Sequence, residues 1–260
     1  ISPVNDVSPK EQTHISYESL IRKIMVKLPK AAIVELFMTL QTGESAQEEE
    51  KKIAEYYKIP YVSYRDEIFS KIEAGEYTWE DIETDEVHPN DRGHGILAGL
   101  IQEVVEVALK GEKNALFTNE LPEKALFGAD YVEGKLIEMQ DLKIIEEKGF
   151  EKTVETYRTI NTGYKAVEGA NEYYLSCEVE GKNVFLLYVK GIEKERGTID
   201  IKVNGKEVNA LDTSFEGGWG DYPETYPLFA SEEKAKVTVE IKMDVKEQAN
   251  MLNILGFLVS

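Results

Sequence analysis

The spacing of apolar residues changes near residue 110, and this change limits the folds that the chain can adopt. Before it, segments with apolar residues every three or four positions alternate with short apolar runs, which predicts a parallel sheet covered by helices. After it, short strands follow one another, several with one apolar and one polar face, which predicts antiparallel pairing. We therefore expect an α/β domain over residues 1–114 and an antiparallel, jelly-roll-like β-sandwich over residues 115–260.

The first half contains signals for four helices and two strands. Helices are predicted at 16–28, 46–58, 66–74 and 91–110, and strands at 31–39 and 60–64. Ser16 is the expected cap of the first helix. Two parallel strands bury too little apolar surface to be stable alone. This half is therefore predicted to be the back half of a larger α/β domain, or to take further strands from a partner chain.

The second half is dominated by strand signals. The clearest lie at 172–180, 183–190, 198–203, 234–243 and 253–259. Asn204 and Gly205 follow the third of these strands and form the dipeptide typical of a tight hairpin turn. Cys177 lies in the first of them and is interpreted as an inert core residue.

The net negative charge of the chain indicates which classes of ligand it can bind. The 260 residues include 30 Lys and Arg against 49 Asp and Glu, a net charge of −19. Such a field repels phosphate backbones and anionic lipid head groups, so we expect a neutral ligand and no nucleic acid. No apolar run reaches the roughly 18 residues that span a bilayer, so membrane insertion is not expected either. No signal peptide is visible, and the compartment stays open between secreted and cytoplasmic.

The histidines and cysteine do not suggest a metal site. One Cys and three His leave too few ligands of the kinds that zinc prefers, and one Cys excludes an intrachain disulfide. We therefore expect no metal and no other cofactor. His14 lies in a stretch that is interpreted as a polar loop, where its ring would be solvated.

Residues 85–94 carry the motif with the clearest chemistry: Asp-Glu-Val-His-Pro-Asn-Asp-Arg-Gly-His. Asp85 and His88 precede the predicted helix at 91–110, and Pro89 prevents the backbone from passing smoothly through as helix. A turn there can bring the Asp85 carboxylate to one ring nitrogen of His88 and leave the other nitrogen facing a cleft. A general base that deprotonates a serine needs this arrangement. An isolated Asp-x-x-His pair also fits a capping aspartate beside a surface histidine.

The longer string resembles the last conserved block of the SGNH (GDSL-type) serine hydrolases. Val4-Asn5-Asp6 is similar to the Asn-Asp block of that family, although Pro3 stands where the family has Gly. The resemblance covers about residues 1–110 and implies the C-terminal half of a three-layer α/β/α domain. It implies that His88 is the base, that Asp85 orients it and that Asn5 donates its side-chain amide to the oxyanion. His94 matches the end of the block and is interpreted as structural.

The nucleophile that the resemblance implies is missing from this sequence. The family's serine lies in a Gly-Asp-Ser block upstream of the Asn-Asp block, and no Gly-Asp-Ser occurs here. The nearest string, Gly43-Glu44-Ser45, follows the Asn-Asp block, so Ser45 is interpreted as a loop residue leading to a helix. The resemblance therefore implies a serine upstream of Ile1, or on a separate chain that completes the sheet. This chain alone would lack the nucleophile.

A segment rich in Gly, Pro and aromatic residues lies at 217–227. Trp219, Tyr222 and Tyr226 on a glycine-rich loop would form a stacking platform for sugar rings, with Asp221 and Glu224 accepting hydrogen bonds from hydroxyl groups. A rigid loop that packs against its own domain fits the same composition. β-Sandwich appendages occur beside SGNH carbohydrate esterases, and this one looks similar.

Together these features predict an esterase that removes acyl groups, above all acetyl, from a carbohydrate through an acyl-enzyme. The expected partner is an acylated carbohydrate or another small neutral ester. Two alternatives from other classes stay open. One is a carbohydrate-binding protein without catalytic activity, and the other is an interaction module that pairs through exposed sheet edges.

Overall fold

The computed structural model describes residues 11–110, 120–154, 160, 162–192, 196–215, 220–244 and 252–260. The chain divides into two compact units, Ile1–Val132 and Glu133–Ser260. This division falls later than the boundary predicted at residue 114. The reason is that residues 122–128, called the strap below, are hydrogen-bonded to Glu18 and Arg22 of the first unit.

The first unit alternates helices with two short strands, as predicted. Its elements are α1 (Glu11–Lys27), β1 (Glu35–Phe37), α2 (Gln47–Tyr57), β2 (Tyr61–Ser63), α3 (Tyr64–Glu73), α4 (Trp79–Ile82) and α5 (Asp91–Leu109). The two strands pair in parallel, from Glu35 opposite Tyr61 to Phe37 opposite Ser63. The prediction that Ser16 caps the first helix is wrong. Helix α1 already includes Glu11, and the Ser16 hydroxyl donates to the carbonyl of Thr13 at 2.9 Å.

The strands separate two apolar clusters, because neighbouring residues of a strand point to opposite faces. Phe37 faces one cluster and Leu36 the other. The first cluster contains Tyr17, Ile21, Phe37, Ile53, Ala54, Tyr57 and Ile59. The second contains Met38, Tyr64, Ile68, Trp79 and Ile82, with Ile96, Leu97 and Leu100 of α5 packed against it.

Helix α5 covers the second cluster with its N-terminal half only. Apolar residues of α5 continue to Leu109, but Val105 is 43% exposed and Leu109 is 82% exposed. The described part of the first unit therefore leaves apolar surface of α5 uncovered. None of the described helices is both long enough and apolar enough to cross a membrane.

The strap is fastened by a buried acid and a buried base of α1. Glu18 accepts hydrogen bonds from the Tyr57 hydroxyl and from three successive backbone N–H groups of the strap. Arg22 donates to the Tyr57 hydroxyl at 2.9 Å and to strap carbonyls at 3.1 and 3.2 Å. Burial alone would raise the pKa of the Glu18 carboxyl, but these donors hold it below its ordinary value.

The second unit is a sheet of antiparallel pairs. Its strands are β3 (Lys135–Glu138), β4 (Lys143–Lys148), β5 (Phe150–Thr153), β6 (Gly163–Ala166), β7 (Tyr173–Lys190), β8 (Thr198–Val203), β9 (Lys206–Glu207), β10 (Leu211–Asp212), β11 (Tyr222–Met243) and β12 (Asn253–Val259). Among the described residues they form one ten-stranded sheet in the order β10-β8-β11-β7-β12-β6-β5. Strand β3 adds to β12, β4 to β7 and β9 to β8.

The two longest strands, β7 and β11, pair with each other along most of their length, and the other edge of β7 changes its neighbour halfway along. The first half of β7 pairs with β4, and the second half pairs with β12. Leu175, Cys177 and Val179 of the first half share one buried cluster with alternate residues of the second half, Val184, Leu186 and Tyr188. The inward-facing position shifts by one residue between the halves, so both halves enclose the same core. Hydrogen bonds thus join the predicted sandwich into a single sheet.

Several strand bounds agree with the sequence analysis. Strands β8 and β12 have the predicted bounds, and Asn204 and Gly205 form the predicted turn, with φ values of 52° and 74°. The separate strands predicted at 172–180 and 183–190 are one continuous strand, β7. Cys177 is buried, as expected, and burial raises the pKa of its thiol to about 12.

Candidate active site

The turn that carries the motif begins where α4 ends. The Glu83 N–H donates to the carbonyl of Trp79 at 2.9 Å, and Glu83 pairs with Pro89 as an isolated antiparallel bridge. Between them, the backbone N–H and the hydroxyl of Thr84 both donate to the carbonyl of His88, at 2.7 and 2.8 Å. Residues 83–89 therefore form one closed turn, called the 83–89 turn below.

This turn brings Asp85 and His88 together. Nδ1 of His88 lies 3.0 and 2.9 Å from the two carboxylate oxygens of Asp85. The backbone N–H groups of Val87 and His88 donate to the same carboxylate, at 2.8 and 2.9 Å. The hydrogen bond with His88 and these two N–H groups hold the pKa of Asp85 below its usual range. Since the carboxylate only accepts, Nδ1 carries the hydrogen and Nε2 is left to accept a proton.

The side chains of the pair lie at the surface, and the backbone that carries them is held by hydrogen bonds. The side chains of His88 and Asp85 are 74% and 54% exposed. The indole N–H of Trp79, a buried residue, donates to the carbonyl of Asp85 at 2.8 Å. The backbone N–H of Gln41 donates to the carbonyl of Glu86 at 2.9 Å. The contact that the sequence predicted from the spacing is therefore present, and Nε2 belongs to an accessible ring.

Two further residues of the motif, Asn90 and Gly93, determine how helix α5 begins. The Asn90 side chain caps α5 by accepting from the N–H groups of Arg92 and Gly93, at 2.9 and 3.1 Å. A Cβ atom at Gly93 would lie 2.2 Å from the carbonyl oxygen of Ile82 and 2.7 Å from the hydroxyl of Tyr64. Only glycine allows α5 to start this close to the preceding segment. Neither role was predicted. An asparagine directly before a predicted helix is a signal that could have identified the cap, whereas no sequence signal indicates the contact at Gly93.

A buried carboxyl group lies in the same turn and was missed by the sequence analysis. Glu83 is 5% exposed, and its Oε1 accepts from the Tyr64 hydroxyl at 2.7 Å. Burial raises the pKa of the Glu83 carboxyl. No sequence signal marks this residue, because a glutamate beside a turn is usually exposed.

The other residues of the first unit that the sequence analysis discussed do not join this pair. Asn5 lies outside the described residues. His94 is exposed in the first turn of α5. The Ser45 hydroxyl donates to the carbonyl of Met38 at 2.7 Å and accepts from the N–H of Gln47, which fits the predicted structural role. The prediction of a solvated loop at His14 is wrong, since His14 lies in α1, half-buried, with its ring 5.3 Å from that of Phe127.

The predicted sugar platform is only partly described, and part of it is a strand rather than a loop. Trp219 lies outside the described residues. Tyr222 and Tyr226 belong to β11, because that strand pairs with β7 up to Tyr222. Pro223 and Pro227 suggested a loop, but they are tolerated here because, among the described residues, this stretch of β11 pairs with β7 on one side only.

Tyr222, Glu224 and Tyr226 share one face of β11. The Tyr222 hydroxyl donates to the Glu224 carboxylate, and the Tyr226 hydroxyl donates to the carbonyl of Asn209 at 3.4 Å. Asp221 accepts from Arg196 at 3.1 Å. The carboxylates that were expected to accept from sugar hydroxyls therefore already have partners within the unit. Within the described ranges, no group of three or more His, Cys, Asp or Glu residues is placed to hold a metal ion.

Comparison with solved structures finds a similar fold in an enzyme. A two-domain esterase (CEX) active on acetylated mannans, crystallised with mannopentaose, matches with a TM-score of 0.83 and 25% identity over 100% of this chain and 71% of that chain. A second structure of such an esterase matches with a TM-score of 0.83 and 24% identity, over 99% of this chain and 71% of that chain. The chain has the fold of a two-domain esterase.

Other comparisons add little. A family 35 carbohydrate-binding module from an environmental isolate covers 48% of this chain and 93% of its own, with 13% identity and a TM-score of 0.34, too low to carry an argument. No protein-family profile matches the chain. A search of curated proteins finds no match.

Proposed function

We propose that this chain is part of an SGNH-type serine esterase that removes acyl groups, above all acetyl, from a carbohydrate. The observation that carries the proposal is the contact of both Asp85 oxygens with Nδ1 of the exposed His88 ring. The match to an esterase over the whole chain supports the reaction class. The net charge of −19 supports a neutral substrate over an anionic one.

The reaction runs through an acyl-enzyme. The hydroxyl oxygen of a serine attacks the ester carbonyl carbon while Nε2 of His88 takes the hydroxyl proton. The protonated ring then gives that proton to the departing sugar oxygen. A water molecule then attacks the acyl-serine while His88 takes its proton, and the acid leaves as the ring returns that proton to the serine oxygen. Asp85 keeps the ring in the required tautomer, and Asn5 donates its side-chain amide to the oxyanion.

The serine itself is proposed to come from residues other than these 260. Two observations of the first unit support this. Among the described residues, β1 pairs with β2 alone, so its second edge is open to a further strand. The apolar residues Val105 and Leu109 of α5 are exposed. Additional strands and helices would cover both surfaces, and a serine upstream of Ile1 or on a separate chain would complete the site.

The experiment is hydrolysis of a small acetyl ester and of acetylated mannan by the natural protein at its full length. His88→Ala should reduce kcat by about 10²-fold or more, since a positioned general base contributes at least that much. His94→Ala, which changes an exposed histidine in the first turn of α5, is the control and should retain activity. A serine-reactive fluorophosphonate should add once to the natural protein and not to the 260-residue chain. Full activity in His88→Ala would contradict the proposal.

A second candidate, sugar binding without catalysis, is favoured by the Tyr222, Glu224 and Tyr226 face of β11. With Trp219 it would bind sugar rings by stacking and hydroxyl contacts. Calorimetric titration with mannopentaose tests this. Loss of binding in Trp219→Ala and Tyr226→Ala, in a natural protein that hydrolyses no acetyl ester, would favour a binding protein over the esterase.

A further inference from the structure

The 83–89 turn that carries Asp85 and His88 holds a second carboxyl group, the buried Glu83, which the reaction above does not use. One of its oxygens accepts from the Tyr64 hydroxyl at 2.7 Å, and the other has no hydrogen-bond partner among the described residues. Glu83 is 5% exposed and Tyr64 is 1% exposed. A carboxyl group in such surroundings costs stability unless its interactions compensate for the lost hydration.

Backbone contacts fix Glu83 within the turn that carries the pair. Glu83 is bridged to Pro89, the residue after His88, and the carbonyl of Glu83 also accepts from the Asn90 side chain at 3.5 Å. Tyr64 is the first residue of α3, immediately after β2, and its hydroxyl touches the start of α5 at Gly93. The Tyr64–Glu83 hydrogen bond therefore connects the sheet, the 83–89 turn and helix α5 at one point.

The charged groups around Glu83 come from three elements. Asp85 and His88 belong to its own turn, His94 comes from α5, and Tyr64 comes from α3. Burial and the Asp85 charge raise the pKa of Glu83, while Tyr64, His94 and His88 lower it. The interaction is mutual, so an ionised Glu83 favours positive charge on the neighbouring rings. A glutamine would accept the same hydrogen bond from Tyr64 without the cost of a buried charge.

We propose that Glu83 and Tyr64 are positioning residues for the Asp85–His88 pair. Tyr64 holds the Glu83 carboxylate under the 83–89 turn, and that carboxylate favours the protonated ring which forms when His88 takes the serine proton. The catalytic part of this inference rests on the proposed esterase function. The structural part, that Glu83 and Tyr64 influence the protonation of the His88 ring, does not rest on the esterase function.

Two variants separate charge from hydrogen bonding. Glu83→Gln keeps the shape and removes the charge, and Tyr64→Phe removes the hydroxyl. Glu86→Gln removes an exposed carboxylate from the same turn and is the matched control. In the natural protein, Tyr64→Phe should lower kcat about tenfold with KM nearly unchanged, the loss expected for one hydrogen bond of ordinary strength. Glu83→Gln keeps that hydrogen bond, and it should lower kcat by a similar factor of about ten because the charge is removed. The acidic limb of the rate profile should move to lower pH in Glu83→Gln, and Glu83→Asp should restore part of the activity.

The readout that does not depend on activity is the long-range ¹H–¹⁵N spectrum of the histidine rings. The chain has only three histidines, so His88 can be assigned by substitution. The pH dependence of its ring signals should differ between Glu83→Gln and wild type. In Glu86→Gln the pH dependence should be the same as in wild type. Tyr64→Phe should change the same signals, because it removes the hydrogen bond that holds the Glu83 carboxyl group.

The outcomes are distinct. Wild-type His88 signals and kcat in both Glu83→Gln and Tyr64→Phe would refute the inference. Changed His88 signals in a natural protein that hydrolyses no acetyl ester would support the positioning role and refute the proposed function. If Glu83→Gln does not fold, as judged by circular dichroism, Tyr64→Phe alone decides, because it leaves the carboxyl group in place.

Discussion

Glu35 provides a quantitative test of the first unit's core. It is the first residue of β1, 1% exposed, and it lies on the same face of the strand as the buried Phe37. Burial raises the pKa of its carboxyl to about 7, although the Tyr17 hydroxyl acts in the opposite direction. Replacing Glu35 with Gln removes this titration and keeps the size of the side chain.

The magnitude follows from linkage between protonation and folding. An unfolded glutamate titrates near pH 4.3, about 2.7 pH units below the folded value, which corresponds to about 3 to 4 kcal/mol. Because the folded-state pKa is the higher one, the stabilising contribution is present below about pH 4.3 and is lost as the pH rises through about 7. Relative to Glu35→Gln, the wild type should therefore lose about 3 kcal/mol of unfolding free energy between pH 4.5 and pH 8.

Urea unfolding at several pH values measures this difference. The chain has two tryptophans, and Trp219→Phe leaves Trp79 as a fluorescent reporter of the first unit. Glu73→Gln, at an exposed position of α3, is the control and should differ from wild type by the same amount at every pH. A difference between wild type and Glu35→Gln that stays constant within about 1 kcal/mol from pH 4.5 to 8 would refute the reasoning, since a buried glutamate must show this dependence.

Two further predictions concern close contacts of the first unit, and both can be measured by urea unfolding. Gly93→Ala should lower the free energy of unfolding by about 3 kcal/mol or more, because its Cβ would lie 2.2 Å from a backbone carbonyl oxygen. Gly99→Ala is the matched control: a Cβ there meets nothing within 4 Å, and the substitution should stabilise α5 by up to about 1 kcal/mol. Equal effects of the two substitutions would contradict the assigned contact. Glu18→Gln should cost about 2 kcal/mol, because an amide cannot accept as many bonds from the strap as a carboxylate does. Unchanged stability in that variant would show that the strap does not depend on the charge.

The sequence was most informative where local signals decide the structure. The bounds of β8 could be predicted because Asn204 and Gly205 mark its end, and the Asp85–His88 contact because Pro89 ends any helical path. These features depend on neighbours within a few residues. They therefore needed no knowledge of the rest of the fold.

The features that were missed depend on tertiary contacts. Pro223 and Pro227 suggested a loop, but an unpaired edge allows them in β11. Glu83 had no distinguishing sequence signal, because its burial is created by α3 and α5, which are separated from each other in the sequence. The strap belongs to the first unit although it follows the predicted boundary at residue 114. The reason is that its backbone N–H groups donate to Glu18, which lies more than 100 residues earlier in the sequence.

The position of β12 has a consequence for biosynthesis. This strand lies between β7 and β6 and also pairs with β3, so three strands made earlier each pair with it. Its residues Ile254 and Phe257 are fully buried. While the ribosome is still translating the codons before residue 253, the core has a vacant central position and exposes apolar side chains. We therefore expect the second unit to acquire its stable structure late, and until then its exposed apolar side chains favour aggregation.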